Sequence, residues 1–422
     1  MWKGRARLSA PIRLISAAVM ISFDDVKAAH EAIQDATIRT PTVKAARLSV
    51  HLGLDLYMKL ENLQHTNAFK GRGALNKLLT LSDEQKEKGV IACSRGNHAQ
   101  GVAYHATRLG IPSIIVMPNR TPFTKIKKTE DFGAKVVLHG DDLVETTNEV
   151  HRLVAAHGYT FIHPFDDPYI RAGQGTLGIE MIEDQPDLDV VVVPVGGGGL
   201  IAGVATAVKG IKPEVKIVGV QAESYPMVKS AFYDEDLTVG EATLAEGIAV
   251  EEPSQANIEV VKNLVSEMVT VNEAEIEEAI FDMVSDEKLV VEGSAAAGLA
   301  YVKKNAAALK GKKVGLVICG GNLDSRLLST LILRGLVREG RIMRLRFEID
   351  DTPGQLSDIS RILDKAGANV IEVIHQRMMQ AVSLKRAELD IVIEARDALH
   401  VEVIVESLRD RGFQVEALQG VN

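Results

Sequence analysis

From about residue 55 to residue 338, short runs of apolar, mostly β-branched residues alternate with amphipathic helical stretches. The runs include Ser113–Met117, Lys135–Leu138, Val190–Val195, Lys216–Val220 and Lys313–Ile318. Strands this apolar are buried on both faces, and connections long enough to hold a helix leave their neighbours parallel. The pattern therefore predicts a mainly parallel α/β sheet covered by helices on both sides. Ligands of such sheets gather at the carboxyl ends of the strands. The turns at those ends are where chemistry is to be sought.

Three turns stand out. The first is the segment Gln64 to Ala74, where Lys70 lies between an apolar strand and a helix. An exposed lysine is protonated and a poor nucleophile, whereas one sunk beside Phe69 and small residues can lose its proton and bond an aldehyde cofactor. Its bland alternative is one of 48 lysines and arginines that merely starts a helix. The second turn, Ser94-Arg95-Gly96-Asn97-His98, follows Gly89–Cys93; the third, Gly196-Gly197-Gly198-Gly199-Leu200, follows Asp189–Val195. A strand, a glycine turn and a helix start offer free backbone N–H groups and a partial positive charge to an anion. Glycines let that backbone approach closely, so the third turn reads as a phosphate cradle in preference to a flexible linker.

The remaining composition narrows the class. A net charge of −9 gives no electrostatic footprint for nucleic acid, and no apolar run reaches the roughly 20 residues that cross a bilayer. Two cysteines, Cys93 and Cys319, cannot build a disulfide framework and suit a reducing cytoplasm. Residues 1–22 carry Lys3, Arg5, Arg7 and Arg13 and no acid, the composition of a transit peptide or of a start placed too early, with Met20 as the true first residue. We expect this extension to be disordered. A catalytic region over 23–338 follows. Beyond it, over 342–420, the order strand, helix, strand, strand, helix, strand fits a ferredoxin-like module of about eighty residues.

With those residues in hand, the chain resembles the threonine dehydratase and serine racemase branch of the fold type II pyridoxal-phosphate enzymes, which implies two open α/β lobes. The resemblance implies that Lys70 and Phe69 match the cofactor lysine and its neighbour, and that Asn97 matches the asparagine bonding the cofactor's ring hydroxyl. It also makes Gly196 to Leu200 the phosphate loop and Cys319 the partner of the pyridine nitrogen. Ser94, Asn97 and His98 are the expected seat of the substrate carboxylate, and Glu292 is expected near the cofactor. The C-terminal module is similar to an ACT domain, which implies an amino-acid effector, branched-chain in this family, at Thr352, Pro353, Gly354 and Asn369. The interface would lie between two modules. A homodimer or homotetramer is implied as well.

Departures from the family sharpen the expected reaction. Ala68 replaces a common serine, and Cys319 replaces the usual serine opposite the ring nitrogen; a neutral thiol there gives a weaker electron sink, which β-elimination tolerates. Cys319 as a small buried hydrophobe is the bland reading. Arg95 stands where serine racemases carry their second acid/base, and an arginine stays protonated. Elimination needs one base; racemisation needs two. The racemase metal site is poorly matched, with Glu223 kept but Lys229 in place of a carboxylate, so no metal ligand is expected. His98 is open to an acid/base role or to a backbone role alone, and Glu292 to a plain helix N-terminal charge. The expected reaction is threonine dehydration to 2-oxobutanoate and ammonia, with serine or 3-hydroxyaspartate as alternative substrates. Two rivals of other classes remain: a dinucleotide enzyme, from Gly197-x-Gly199-x-x-Ala202 with Glu223 downstream, and a non-catalytic amino-acid sensor.

Overall fold

A computed structural model describes residues 20–376 and 386–418; residues 1–19 of the basic extension and residues 377–385 and 419–420 of the C-terminal module lie outside them. The first described helix, Phe23–Ile33, begins with a reciprocal cap: the Ser22 hydroxyl accepts from Asp25 N–H, and Asp25 accepts from Ser22 N–H at 2.8 Å. That pair satisfies two helix-end donors at once.

In chain order the strands are β1 (Thr42–Lys44), β2 (Asp55–Leu60), β3 (Val90–Cys93), β4 (Ser113–Met117), β5 (Lys135–Leu138), β6 (Thr160–Phe161), β7 (Val190–Pro194), β8 (Lys216–Ala222), β9 (Glu267–Val271), β10 (Lys313–Ile318), β11 (Ile342–Asp350), β12 (Asn369–Gln376), β13 (Arg386–Glu394) and β14 (Gln414–Leu418). They form three sheets: β1-β2-β10-β7-β8-β9, β5-β4-β3-β6 and β12-β13-β11-β14. The first two make the two lobes of the catalytic region and are parallel throughout, apart from the antiparallel edge strand β1. Every residue of β3 and β7 is buried, as their apolar runs require.

The topology explains the convergence of distant segments. Strands β2, β10 and β7 are neighbours, with Leu60 beside Ile318 and Leu316 beside Val192. Their carboxyl ends thus deliver the Lys70, Cys319 and Gly196 turns to one place. The Lys70 helix (Lys70–Leu79) packs on the helix Pro168–Asp184 with almost no space between them: a Cβ on Gly73 would stand 2.7 Å from the Ile170 carbonyl, and one on Gly173 2.7 Å from Gly73 Cα. Only glycine permits that approach.

By packing, the described residues up to Leu323 form one compact unit and those from Asp324 a second. The helix Ser325–Arg338, which runs through Gly340 into β11, groups with the second unit in this division. From β11 onward the second unit has the βαββαβ order and antiparallel sheet of a ferredoxin-like fold. Its core is built by Leu345, Phe347, Ile359, Leu363, Leu389 and Ile391, all fully buried.

Candidate active site

The Lys70 turn is sewn to the Cys319 turn by backbone alone. Ala68 bridges Gly320, Phe69 N–H donates to the Cys319 carbonyl at 3.0 Å, and Gly321 N–H donates to the Asn67 carbonyl at 2.9 Å. Asn67 holds a left-handed φ of 56° to make the turn. Lys70 is therefore the first residue of its helix, half-buried, with Nζ donating to the Pro164 carbonyl at 2.7 Å and lying 5.3 Å from the Phe69 ring centroid. Burial pulls its pKa down to about 8, against the opposing pull of Cys319 and Glu292.

Behind this helix lies a buried ionic cluster. Arg72 donates to Glu61 at 2.8 Å and to Glu180 at 2.7 Å, and Lys59 donates to Glu180 at 2.6 Å; Arg72 and Lys59 have no exposed surface. Each charge finds its counterpart, so the cluster avoids the penalty of an unpaired buried ion. It ties the Lys70 helix to β2 and to the helix Pro168–Asp184.

The Ser94 to His98 turn opens the helix Asn97–Arg108, whose Gly96 cap supplies no side-chain acceptor and so leaves the first N–H groups without one. Ser94 Oγ accepts from Gly96 N–H at 3.1 Å. Asn97 Nδ2 donates to Glu292 Oε1 and Oε2 at 2.9 and 3.0 Å, and its Oδ1 accepts from Asn322 Nδ2 at 2.7 Å. The His98 ring turns away into the core, with Nε2 at 2.8 Å from the Ile162 carbonyl, and burial drives its pKa down to about 3. Of the two readings of His98, the backbone one fits this geometry.

The glycine run is shaped by what surrounds it. A Cβ on Gly197 would stand 2.6 Å from the Phe165 ring, on Gly199 2.9 Å from Phe165, on Gly196 3.0 Å from Ile248 Cα, and on Gly198 2.8 Å from Asn257 Cβ. Gly198 also takes a φ of 86° and caps the helix Gly199–Ile211. Asn257 holds the loop by donating to the Gly197 carbonyl at 2.7 Å. Leu200 is buried at the helix start. A loop without side chains that ends on a helix N-terminus fits the phosphate of a cofactor.

Cys319 is buried, and burial raises its thiol well above the usual value, so it is neutral. Its Sγ lies 4.0 Å from Glu292 Oε1. Glu292 caps the helix Gly293–Lys304, and burial raises its carboxyl although the Asn97 amide opposes this. Ser294 Oγ, two residues further on, is buried with no partner among the described residues. Lys70, Asn97, Cys319 and Glu292 thus surround one space edged by polar groups. Such a set fits a polar aromatic cofactor held through an aldehyde.

Other sequence-derived residues stand apart. Arg95 is exposed. No group of three or more His, Cys, Asp or Glu side chains placed to hold a metal ion occurs among the described residues. Thr352, Pro353 and Gly354 follow the end of β11, where Asp350 pairs with Arg386, whereas Asn369 pairs with Glu394 beside the start of β11 at Ile342. Within one module the two halves of the expected effector site lie at opposite ends of the sheet. The Asn369 end opens on a cleft of about 390 Å³ lined by Arg341, Gly367, Asn369, Glu394, Ala395 and Arg396. Sequence reasoning missed Pro164 and Phe165, which belong to a loop with no motif, and Asn257, in the first turn of the helix Gln255–Leu264, and gave Asn322 no role.

Comparison with known proteins agrees with this geometry. A family model described as pyridoxal-phosphate dependent enzyme matches residues 33–320. The L-threonine ammonia-lyase of Thermotoga maritima is 44% identical over 398 residues, covering 94% of this chain and 99% of that protein. Among solved structures, a threonine deaminase from T.th. has a TM-score of 0.68 at 37% identity, covering 72% of this chain and 99% of its own. A serine racemase from Dictyostelium discoideum has a TM-score of 0.68 at 31% identity, covering 73% and 100%.

Proposed function

Because the chain belongs to the pyridoxal-phosphate-dependent enzyme family, we propose that it is a threonine ammonia-lyase, turning L-threonine into 2-oxobutanoate and ammonia and, more slowly, L-serine into pyruvate. The Cα–H and Cβ–O bonds break and water leaves; hydrolysis of the resulting enamine returns the water and releases ammonia. Bound pyridoxal phosphate supplies an aldehyde carbon for the amino group and a ring that accepts the electrons of the broken Cα–H bond.

The observation that carries this reading is the convergence of Lys70, Asn97 and Cys319 through bonded turns, the Lys70 segment being tied to Cys319 by Phe69 N–H and Asn97 to the Cys319 turn by Asn322, with burial lowering the Lys70 amine to about 8. Lys70 holds the cofactor and then serves as the base that takes the α-proton. The first N–H groups of the Asn97 helix, with Ser94 and His98, seat the substrate carboxylate. Asn97 would meet the cofactor's ring oxygen, the N–H groups of Gly196 to Leu200 would hold its phosphate, and neutral Cys319 would partner the ring nitrogen without charging it. Phe69 packs beside the lysine. A serine racemase shares the fold, but Arg95 supplies no second base.

The second unit is read as an ACT domain that binds an amino-acid effector. Since Thr352 to Gly354 and Asn369 are at opposite ends of one sheet, an effector touching both sits between two modules, which calls for a homodimer or homotetramer. No helix among the described residues is long and apolar enough to cross a membrane; a cytoplasmic location is proposed separately, from the two lone cysteines. The test is Lys70→Ala: ketoacid formation from threonine is lost in the holoenzyme. Full turnover in that variant would end the reading.

A further inference from the structure

The amide of Asn97 faces a choice that its shape does not decide. Its oxygen and nitrogen ends occupy nearly the same volume, so partners alone determine whether the site is offered an N–H donor or a carbonyl acceptor. Asn97 sits between a carboxylate, Glu292, and another amide, Asn322. Neither is decisive by itself. A protonated Glu292 could donate to an amide oxygen, and the Asn322 side chain has the same ambiguity as Asn97.

The ambiguity ends at Thr66. A backbone carbonyl only accepts, and Asn322 Nδ2 lies 2.9 Å from the Thr66 carbonyl. The nitrogen end of Asn322 is therefore fixed, and its second hydrogen points to Asn97 Oδ1 at 2.7 Å. That in turn fixes the nitrogen end of Asn97 toward Glu292. Both carboxylate oxygens lie within a small angle at Asn97 Nδ2, so a single hydrogen serves them and the other remains free.

We infer that Asn322 is a positioning residue, which transmits the polarity of the Thr66 carbonyl to Asn97 and thereby keeps an N–H, not a carbonyl, turned toward the bound cofactor. This rests on the reading that Asn97 meets the cofactor's ring oxygen. Thr66 belongs to the Lys70 turn and Asn322 to the Cys319 turn. The segment that presents the lysine therefore also sets the donor opposite the ring.

The test compares Asn97→Ala, Asn322→Ala, the double variant and Asn322→Ser as holoenzymes, by their visible absorption band and by their equilibrium affinity for pyridoxal phosphate. The band responds to charge on the ring oxygen, which a merely structural defect does not move selectively. Loss of one oriented hydrogen bond predicts roughly five- to tenfold weaker cofactor binding in Asn322→Ala, with a band shift in the same direction as in Asn97→Ala. The double variant should be no weaker than Asn97→Ala alone, because Asn322 acts through Asn97. Asn322→Ser, which keeps one donor, should fall between, and it carries the comparison if the alanine variant does not fold. A normal band and affinity in Asn322→Ala or Asn322→Ser beside a perturbed Asn97→Ala would overturn the relay and leave the Asn97 contact standing. Additive losses in the double variant would also overturn it, and an unperturbed Asn97→Ala would overturn both.

Discussion

Replacing Lys70 by methionine in the cofactor-free protein isolates the cost of burying an ammonium group in the site. The folded amine titrates near 8 against an ordinary value of 10.5. That gap corresponds to about 3.4 kcal/mol between the two protonation states. Below pH 8 both folded and unfolded chains carry the proton, and the folded chain bears the whole penalty. Between 8 and 10.5 the unfolded chain binds more protons, so stability rises with pH as the penalty is relieved. The methionine variant lacks this titration. Its difference from the parent contains a constant, including the lost bond from Nζ to the Pro164 carbonyl, plus a part that depends on pH. From pH 7 to pH 10 that second part should favour the parent by about 2.5 kcal/mol, an upper value because half-buried Lys70 keeps some hydration. Urea unfolding of both cofactor-free proteins at the two pH values measures it, and other titrating groups cancel in the comparison. A difference that stays flat, or that moves against the parent, would refute a depressed Lys70. The same depression leaves about a tenth of the amine neutral at pH 7, a few hundred times more than an ordinary lysine offers.

Arg72→Met should cost about 3–5 kcal/mol in thermal or urea unfolding, because among the described residues it leaves buried Glu61 without its ion-pair partner and Glu180 with Lys59 alone; a loss below about 1 kcal/mol would show that the cluster gives no net support. Gly198→Ala forces a side chain into a left-handed backbone and against Asn257. It should lose about 1–3 kcal/mol of stability and release the cofactor more readily, as dialysis followed by absorbance will show. For the second unit, isoleucine or valine should change the rate of ketoacid formation and the mass measured by light scattering should be that of a dimer or tetramer. Indifference of the rate to every amino acid would reduce that unit to an assembly element.

What could be read from the sequence divides along a physical line. Lys70, Asn97 and the four glycines sit in turns after apolar strands, and such turns impose local requirements on residue type: no Cβ, a helix start, a small neighbour. Those requirements are written beside the residues themselves. The packing of Arg72 is different, since its partners Glu61 and Glu180 come from an earlier turn and a distant helix, and nothing local marks a charged residue as wholly buried. Asn257 and Phe165 shape the glycine loop from outside it and were invisible for the same reason. The six elements from β11 onward were legible because strand and helix periods alternate cleanly there. The separation of Thr352 to Gly354 from Asn369 emerged only from strand register.

The choice between elimination and racemisation follows from where side chains point, not from the shared fold. Racemisation requires an acid/base group facing the α-carbon from the side opposite Lys70. The turn that could supply one contains Ser94, Arg95, Asn97 and His98. Ser94 Oγ already accepts from Gly96 N–H, Arg95 is exposed and permanently charged, and the Asn97 amide does not titrate. His98 is the one residue there with suitable chemistry, yet its ring is bound to the Ile162 carbonyl in the core and burial holds it neutral far below physiological pH. On the proposed reading, in which Lys70 takes the α-proton, this turn offers no titrating side chain to return it from the opposite face, which favours elimination over racemisation.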